Sequence, residues 1–328
     1  MMHIYISGVH GGINPSPGIG VARSRRAAYP HARLAAVDYS PQSSGLFWTD
    51  FDECVIRPPW HAIDLKAHVA YVESRLSRGA IWISGLDLEI QLLASRIRTR
   101  SRLPLPPPSA IKMAGKPPFD LAAPLRLSIP PALPVGSSSE EELSRFCRLH
   151  GWPLWVKGIH YDAVPVWSWY EVKPVLSQLA YVWGGTHRVF LQAHVAGQDV
   201  TVAFAAWKGE LLGAAFLEKL DRTQQGKVWS GRVQPVPHEL ESRLRALVRA
   251  TRWSGGGEIE CVRDPHSQLW LLECNPRFPA WIYGATQAGY NLPALLIEAM
   301  TGESGKLIKR TRQGTFTRVV LEVPASAS

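Results

Sequence analysis

The segment 257–279 places carboxylate side chains where the strands of an ordinary core would carry apolar ones. Its pattern is typical of two antiparallel strands joined by a turn at 264–267. Strand side chains alternate with a period of two, so Glu258 and Glu260 share one face of the first strand. The pattern therefore predicts an acidic face on this strand.

The second strand of the segment carries Glu273 and Asn275 on one face, whereas Leu272 and Cys274 are predicted to point inward. Pairing of the two strands brings Glu260, Glu273 and Asn275 together as hard oxygen donors, without a thiolate or an imidazole. Mg²⁺ prefers such ligands and usually shares them with substrate phosphates. The sequence therefore predicts a metal site formed by these three side chains.

The run Asn-Pro-Arg-Phe-Pro at 275–279 ends the second strand abruptly, because Pro276 has no N–H for a sheet ladder. Arg277 then stands at the strand end, where its guanidinium suits a phosphate or a carboxylate. An amphipathic hairpin with a solvated acidic face is the alternative interpretation. The run at 275–279 favours a functional site over that alternative.

The hairpin resembles the metal-binding signature of the ATP-grasp superfamily, in which a Glu strand is followed by a Glu-x-Asn-Pro-Arg strand. The chain is most similar to the branch that includes carbamoyl-phosphate synthetase and biotin carboxylase. The resemblance implies a C–N bond-forming ligase that activates a carboxylate as an acyl phosphate and passes it to an amine or another nucleophile, such as a thiol. It implies ATP and Mg²⁺ as cofactors, with Mn²⁺ as a substitute. It also implies that Glu260, Glu273 and Asn275 are the metal ligands, and that Arg277 is a catalytic residue beside the acceptor carboxylate or acyl phosphate.

Two lysines stand where the family places its phosphate clamps. Lys157 ends the run Pro-Leu-Trp-Val-Lys at 153–157, which resembles Pro-Val-Val-Lys in the family, and its implied role is both catalytic and nucleotide-binding. Lys116 precedes a turn at 128–131 that resembles a family turn, although Lys112 competes for the same role. A lysine that emerges from an apolar strand favours an anionic partner, and a snorkelling strand-end lysine is the alternative.

The segment 189–202 resembles the strand pair that the family places over the adenine ring. Gln192 occupies the first acidic position of the family pattern, and the backbone from Gln192 to Val195 is expected to contact the adenine. Asp199 occupies the position that the resemblance assigns to ribose binding. A carboxylate there can accept hydrogen bonds from the ribose hydroxyl groups. Ordinary polar residues of a strand and a turn are the alternative interpretation.

The loop after Lys157 departs from the family pattern. The family has a glycine-rich flap there, whereas 158–169 has one glycine and is rich in aromatic residues. We expect this loop either to close over the phosphates or to line a substrate pocket with its tryptophans. Among the later cations, Lys219 and Arg232 are candidates for contact with the transferred phosphoryl group.

Alternating strands and helices over residues 1–103 predict a small parallel sheet covered by helices, which is a Rossmann-like domain. Its glycine-rich loop at 8–20 lacks the G-x-G-x-x-G register, so a structural or substrate-facing role is favoured over dinucleotide binding. The proline-rich run 103–109 is predicted to be a stiff, extended linker. We expect a chain of α/β and α+β class: an ATP-grasp fold after a pre-ATP-grasp domain, with a small lid subdomain at 110–184 and a C-terminal catalytic subdomain at 185–328.

Local signals place several helix ends. Serines at 137–139 followed by three glutamates predict a helix start. Two further helices are predicted near 237–252 and 293–300, the second ended by a glycine. Asp87 and Glu89 lie at a strand-to-helix junction, where they are expected to cap exposed N–H groups, with binding of a substrate amine as the alternative.

Composition limits the partners. The 328 residues include 36 Lys and Arg against 27 Asp and Glu, a formal charge of +9, which suits an enzyme with anionic substrates. The basic clusters at 96–102 and 309–312 are interpreted as solvated faces, and no nucleic-acid partner is expected because zinc-finger spacing and an RNP-type motif are missing. No apolar run of about 18 residues and no signal peptide is found, so we expect no membrane partner, a cytoplasmic location and reduced cysteines.

Two other function classes stay open: a nucleotide-dependent oxidoreductase that uses the N-terminal loop, and a non-catalytic basic binding protein. The chain lacks a P-loop, an HExxH motif and a G-x-S-x-G elbow. Its 13 tryptophans suit a roomy aromatic pocket, so the expected partners are small-molecule or peptide carboxylates and amines. The oligomeric state is open, with a homodimer as one option.

Overall fold

The structure of the chain is a computed structural model that describes residues 2–98, 100–158, 162–223, 226–305 and 313–323. The predicted basic cluster at 309–312 lies outside the described residues, as does part of the predicted loop at 158–169.

The N-terminal residues form a parallel sheet flanked by helices, as predicted. Its strands are β1 (His3–Ser7), β2 (Arg33–Asp38), β3 (Glu53–Ile56) and β4 (Ile81–Ile83), in the order β3-β2-β1-β4. The helices of this region are α1 (Gly18–Ala28), α2 (Leu65–Ser77), α3 (Asp87–Arg96) and α4 (Pro108–Met113), with a 3₁₀ turn at Ser44–Phe47. Ile4, Leu34 and Ile81 are fully buried, which accords with the continuous apolar strands of a parallel sheet covered on both faces.

Helix α1 begins at Gly18, inside the segment 8–20 that was predicted to be a glycine-rich loop. The Gly18 N–H donates to the Gly8 carbonyl at 2.9 Å. A Cβ at position 18 would lie 2.5 Å from that carbonyl oxygen. Glycine therefore lets the loop and the helix start approach each other more closely than any other residue could.

The proline-rich run is not a free linker, which corrects the prediction. Leu103 is fully buried and Leu105 is 3% exposed, and both belong to the same core cluster as Tyr5 and Trp82. The run is also shorter than predicted, because α4 begins at Pro108, and proline suits the first turn of a helix. Alternating leucines give the segment apolar side chains that the N-terminal core buries.

A second, antiparallel sheet follows. Its strands are β5 (Ala132–Pro134), β6 (Leu154–Gly158), β7 (Ala163–Val166) and β8 (Val189–Ala193), in the order β5-β8-β6-β7. Its helices are α5 (Phe119–Leu125), α6 (Glu140–His150) and α7 (Trp169–Trp183), with a 3₁₀ turn at Thr186–Arg188. Ser139 and Glu142 form the predicted capping box at the start of α6.

The third sheet contains the predicted acidic hairpin. Its strands are β9 (Gln198–Trp207), β10 (Glu210–Arg222), β11 (Val228–Gln234), β12 (Gly255–Arg263), β13 (Leu269–Asn275) and β14 (Gly314–Thr317), in the order β13-β12-β9-β10-β11-β14. Its helices are α8 (His238–Thr251), α9 (Ile282–Gln287) and α10 (Leu292–Thr301). Helices α8 and α10 confirm the predictions at 237–252 and 293–300, and Gly302 ends α10 in a left-handed conformation.

The segment 189–202 contains two strands, β8 and the start of β9, as the resemblance implied, but these strands do not pair with each other. Strand β8 pairs with β5 and β6, whereas β9 pairs with β10 and β12. The two strands therefore belong to different sheets. Residues 194–197 between them contain Gly197, whose missing side chain allows the carbonyl of Arg263 to approach: a Cβ there would lie 2.3 Å from that oxygen.

Backbone contacts divide the chain into two compact units. Unit 1 comprises Met1–Lys112, Val200–Ile259 and Asn275–Ser328, and unit 2 comprises Met113–Asp199 and Glu260–Cys274. Unit 1 has a core that includes Ile6, Leu217 and Leu296, and unit 2 has a separate core around Leu154 and Leu191. The three-part division predicted from the sequence stays a prediction. In the ranges that the structure describes, no helix is both long and apolar enough to cross a membrane.

Candidate active site

Lys116 and Glu273 form an ion pair in unit 2, between the lysine Nζ and the carboxylate Oε2. Lys116 lies in the connection before α5, and Glu273 lies near the end of β13. Both side chains are largely shielded from solvent, with 12% and 20% of their surfaces exposed. Lys112, the competing candidate, is exposed on α4 and belongs to unit 1. The contact with a predicted metal ligand favours Lys116.

Lys157 and Gln192 form the second polar contact of unit 2. They lie on the adjacent strands β6 and β8, and the Lys157 Nζ donates to the Gln192 Oε1 at 2.6 Å. Lys157 is 9% exposed and Gln192 is 1% exposed. The amide Nε2 of Gln192 donates to the Pro130 carbonyl at 3.4 Å, which holds the amide oxygen toward the lysine. A buried ammonium is thus paired with a neutral partner.

The charges of unit 2 converge on Lys157. Burial and, after it, the positive charge of Lys116 lower the pKa of the Lys157 ammonium to about 8. The carboxylates of Glu273, Glu260 and Asp199 act in the opposite direction. Lys157 is therefore within electrostatic reach of four other predicted site residues, and we call these five residues, with Gln192, the lysine cluster.

The predicted metal ligands fit a hard divalent cation by their chemistry. Glu260 and Glu273 offer carboxylate oxygens and Asn275 an amide oxygen, which is the donor set that Mg²⁺ takes. The Lys116 ammonium pairs with the Glu273 carboxylate, so this carboxylate already has a positively charged partner. Among the described residues no three His, Cys, Asp or Glu side chains are grouped as a metal site, and the predicted set has an amide as its third member. Asn275 belongs to unit 1, two residues beyond Glu273 on β13.

The turn of the acidic hairpin is built as predicted. Asp264 accepts hydrogen bonds from the N–H groups of His266 and Gln268, both at 2.9 Å, and from the Trp270 indole at 3.0 Å. The hydrogen bond from the Trp270 indole is the main cause of a lowered pKa at Asp264; burial opposes it, and the two backbone contacts add to it. Tight control of this turn fixes the register of the strands that carry the glutamates.

The inward face of β13 differs in part from the prediction. Cys274 is buried as predicted, but Leu272 is half-buried and Leu271 is fully buried. Leu271 shares a face with Glu273, and its N–H donates to the Ser128 carbonyl at 2.7 Å. The segment around Ser128 therefore pairs with the edge of β13, where Ser128 and Trp270 form a parallel bridge. Single-strand periodicity does not reveal this pairing. All four cysteines are free thiols, and three of them are buried.

Unit 1 holds a second polar cluster, centred on Glu258, to which no role was assigned from the sequence. The Glu258 carboxylate is 5% exposed and accepts four hydrogen bonds. The donors are Thr201 Oγ1 at 3.3 Å, Asn275 Nδ2 at 3.2 Å, Trp281 Nε1 at 3.0 Å and Arg277 Nη1 at 3.4 Å. We call these five residues the Glu258 cluster. The place of Glu258 two residues before Glu260, on the same face of the strand, was the available signal.

Arg277 joins the Glu258 cluster to the N-terminal sheet. Its Nε lies 3.4 Å from Asp87 Oδ2, and its side chain is 14% exposed. Arg318 is a further, half-buried cation of unit 1, whose pKa is lowered to about 10 by burial while the charge of Glu258 acts in the opposite direction. Two arginines and two carboxylates thus share this part of unit 1, an arrangement able to bind a group that carries both charges.

Glu89 does not act as the predicted helix cap. It is fully buried and accepts hydrogen bonds from Ser7, Ser84 and Tyr39. Burial by itself raises its pKa, but hydrogen bonds from His68 and these three hydroxyl groups outweigh that effect, and the pKa stays below its usual value. The capping prediction is wrong because the Glu89 side chain is buried among these hydroxyl groups. Their hydrogen bonds offset the cost of burying its charge.

The N-terminal glycine-rich loop is closed by the chain itself. Asp38, at the end of β2, accepts hydrogen bonds from the Val9 N–H and the Ser43 hydroxyl, each at 2.9 Å, and from the Tyr39 N–H at 2.8 Å. In a dinucleotide-binding sheet an acidic residue at such a position binds ribose. Its use as a loop anchor argues against the oxidoreductase interpretation.

The remaining candidates lie apart from these clusters or at their edges. Val195 is half-buried in the connection between β8 and β9, and Asp199 is half-buried at the start of β9. Arg232 pairs with Glu218 across β10 and β11 at 3.3 Å, so its charge is engaged within unit 1. Lys219 is half-buried on β10. The predicted contacts of these residues with nucleotide or phosphoryl groups stay predictions.

Comparison with known proteins finds no matching family model and no matching curated protein. Solved structures of the same fold do match. N5-carboxyaminoimidazole ribonucleotide synthetase from Thermus thermophilus is 17% identical with a TM-score of 0.68, covering 98% of this chain and 84% of that one. The biotin carboxylase domain of 2-oxoglutarate carboxylase from Hydrogenobacter thermophilus, a dimer in complex with MgADP and bicarbonate, is 15% identical with a TM-score of 0.66, covering 92% and 70%.

L-amino acid ligase from Bacillus licheniformis is also similar, with 12% identity and a TM-score of 0.62, covering 92% of this chain and 74% of that one. At such identities the likeness concerns the fold. It extends over more than nine tenths of this chain in each case. The chain therefore has the ATP-grasp fold with a preceding N-terminal domain, as the sequence predicted.

Proposed function

We propose that this chain is an ATP-dependent carboxylate–amine ligase. The observation that supports this most directly is the lysine cluster, in which two shielded lysines, Lys116 and Lys157, stand among three carboxylates of unit 2. A buried ammonium whose hydrogen-bond partner is a neutral amide is suited to the oxygens of a polyphosphate. The proposal is supported by the fold, because an L-amino acid ligase is among the similar structures.

In this proposal the residues of the lysine cluster act together with Val195 and Asn275. Lys116 and Lys157 neutralise phosphate oxygens, and the region of Gln192 and Val195 contacts the adenine. Asp199 accepts from the ribose hydroxyls. Glu260, Glu273 and Asn275 hold Mg²⁺, or Mn²⁺ in its place, which when bound supplies charge neutralisation at the phosphates.

The proposed chemistry has two steps. A substrate carboxylate oxygen attacks the γ-phosphorus and ADP leaves, which gives an acyl phosphate. An amine nitrogen then attacks the acyl carbon, the bond from that carbon to the phosphate oxygen breaks, and the nitrogen gives up a proton as phosphate leaves and an amide forms. Arg277 orients the carboxylate and stabilises the negative charge that develops on its oxygens. Such transfer needs positioning and charge neutralisation more than covalent help.

We also propose an amino acid or a peptide as the substrate, a homodimer as the assembly and the cytoplasm as the location. The clustered Asp87, Glu258 and Arg277 carry both charges that a zwitterion requires. One of the similar structures is an L-amino acid ligase and another is a dimer. The four free thiols accord with a reducing compartment.

The experiment is release of ADP and phosphate from Mg-ATP with a panel of amino acids and short peptides. Turnover that depends on one carboxylate and one amine is expected. The Glu273→Gln variant removes a predicted metal ligand and is expected to lose turnover while its unfolding transition is retained. Glu241→Gln, the same change on α8 at a side chain that is 42% exposed, is the matched control and is expected to keep full activity. Equal turnover of Glu273→Gln and the wild type would refute the assignment.

A further inference from the structure

The two oxygens of the Glu258 carboxylate have different partners. Oε1 accepts from the Thr201 hydroxyl and the Trp281 indole, both of which are buried groups of the unit 1 core. Oε2 accepts from Asn275, a predicted metal ligand, and from Arg277, the predicted catalytic arginine. One edge of the carboxylate is thus anchored in the core, and the other edge holds two residues of the proposed site.

We infer that Glu258 is a positioning residue that sets the orientation of the Asn275 amide and the Arg277 guanidinium. This inference rests on the proposed function. A carboxylate accepts hydrogen bonds and cannot donate them, so only the NH₂ end of the Asn275 amide can face it. The amide oxygen is then directed away from Glu258. That oxygen is the atom by which Asn275 would bind a divalent cation.

The guanidinium of Arg277 is held at two separate points. Its Nη1 contacts Glu258 and its Nε contacts Asp87, each at 3.4 Å. Two contacts at different nitrogens fix the plane of the fork, which a single contact cannot do. Orientation by partners outside the ligand shell is how metal sites and catalytic arginines keep their geometry, and loss of such a partner typically costs 10- to 100-fold in metal affinity.

The burial of Glu258 argues that this arrangement is built rather than incidental. A carboxylate that is 5% exposed carries a large desolvation cost, which four donors are needed to offset. An apolar residue at the same strand position would fill the core without that cost. The donors include both proposed site residues of unit 1, so the carboxylate links the core of unit 1 to them.

The test measures Mn²⁺ binding in the presence of ADP by electron paramagnetic resonance, with no turnover required. For Glu258→Ala, Mn²⁺ affinity is expected to fall about 10- to 100-fold, and kcat is expected to fall more than KM for ATP rises. Glu258→Gln keeps the shape but puts a donor group beside two donors, so it is expected to weaken Mn²⁺ binding in the same direction. It also carries the test if the alanine variant does not fold.

Glu89→Gln is the matched control, because Glu89 is another buried carboxylate with several donors but contacts neither Asn275 nor Arg277 in the contacts described above. It is expected to lower the denaturation midpoint and leave Mn²⁺ affinity unchanged. Unchanged Mn²⁺ affinity in both folded Glu258 variants, with binding by the wild type, overturns the inference alone. If the wild type binds neither Mn²⁺ nor ADP, the proposed function fails and the inference fails with it.

Discussion

Replacing Gln192 by glutamate gives a sharp test of the lysine cluster. In the wild type, Lys157 has a neutral partner at 2.6 Å and a pKa lowered to about 8. The Gln192→Glu variant places a negative charge at nearly the same distance from the ammonium. An opposite charge at such range raises a lysine pKa by roughly 1–3 units. We therefore expect Lys157 to stay protonated at higher pH in the variant.

The magnitude follows from the fraction of charged lysine. With a pKa of about 8, only about one tenth of Lys157 is protonated at pH 9, compared with about nine tenths at pH 7. The kcat/KM for ATP is therefore expected to fall roughly tenfold over this range in the wild type. In Gln192→Glu the fall is expected to be about twofold or less. Full Coulomb attraction at this distance is about 6 kcal/mol at an effective dielectric of 20, but burial of the new carboxylate opposes it.

The assay is the pH profile of kcat/KM for ATP, which reports groups of the free enzyme. Gln192→Met is the control, because it removes the acceptor without adding charge, and its alkaline limb is expected to move to lower pH. An unchanged limb in Gln192→Glu would show that Lys157 does not control nucleotide binding.

Titration of Lys157 is also expected to change the stability of the wild type, which rises with pH whereas kcat/KM falls. The folded pKa of Lys157, about 8, lies below its ordinary 10.5, so between these values the unfolded chain binds more protons. Stability therefore rises as pH increases from 8 to 10.5, and the buried ammonium costs about 3 kcal/mol below that window. Chemical denaturation at pH 8 and pH 10 measures the difference, which Gln192→Glu is expected to reduce.

Three further changes test other parts of the structure. Leu105→Ala removes a buried side chain of the N-terminal core and is expected to lower the free energy of unfolding by about 2–4 kcal/mol, measured by urea denaturation; a change under about 0.5 kcal/mol would restore the free-linker interpretation. Asp38→Ala leaves the Val9 N–H and its neighbours without an acceptor, so a loss of about 2–4 kcal/mol is expected by the same measurement, with kcat retained; stability equal to the wild type would contradict the anchoring role. Arg277→Lys keeps the charge but loses the planar fork, so kcat is expected to drop roughly 100-fold in the ADP-release assay, and wild-type turnover would show that the two-point contact has no catalytic role.

Local signals predicted much of the fold. The capping box at Ser139, the hairpin turn at Asp264 and the ends of α8 are set by residues within a few positions of each other, so a single sequence contains the whole interaction. The parallel sheet of the N-terminal domain was equally clear, because strands and helices alternate there along the chain.

Interactions between distant segments could not be read in this way. Glu89 was expected to be a cap, but its partners Ser7 and Tyr39 come from other segments, 82 and 50 residues away. The burial of Leu103 depends on a core that forms elsewhere in the chain. Glu258 was visible as an acidic strand residue, yet its four donors come from β9 and from the segment 275–281. Periodicity gives the face of a strand and leaves open what covers that face.

The pairing of the first residues with the last ones has a consequence for synthesis of the protein. Ser24 on α1 bonds through its hydroxyl to Thr286 and through its carbonyl to Asn291, at sequence separations of 262 and 267 residues. Arg277 likewise reaches back 190 residues to Asp87. On the ribosome, most of the polypeptide must therefore emerge before α1 can contact Thr286 and Asn291. During that delay its apolar side is uncovered, so we expect the nascent chain to engage a chaperone and to misassemble when translation is stopped short of α10.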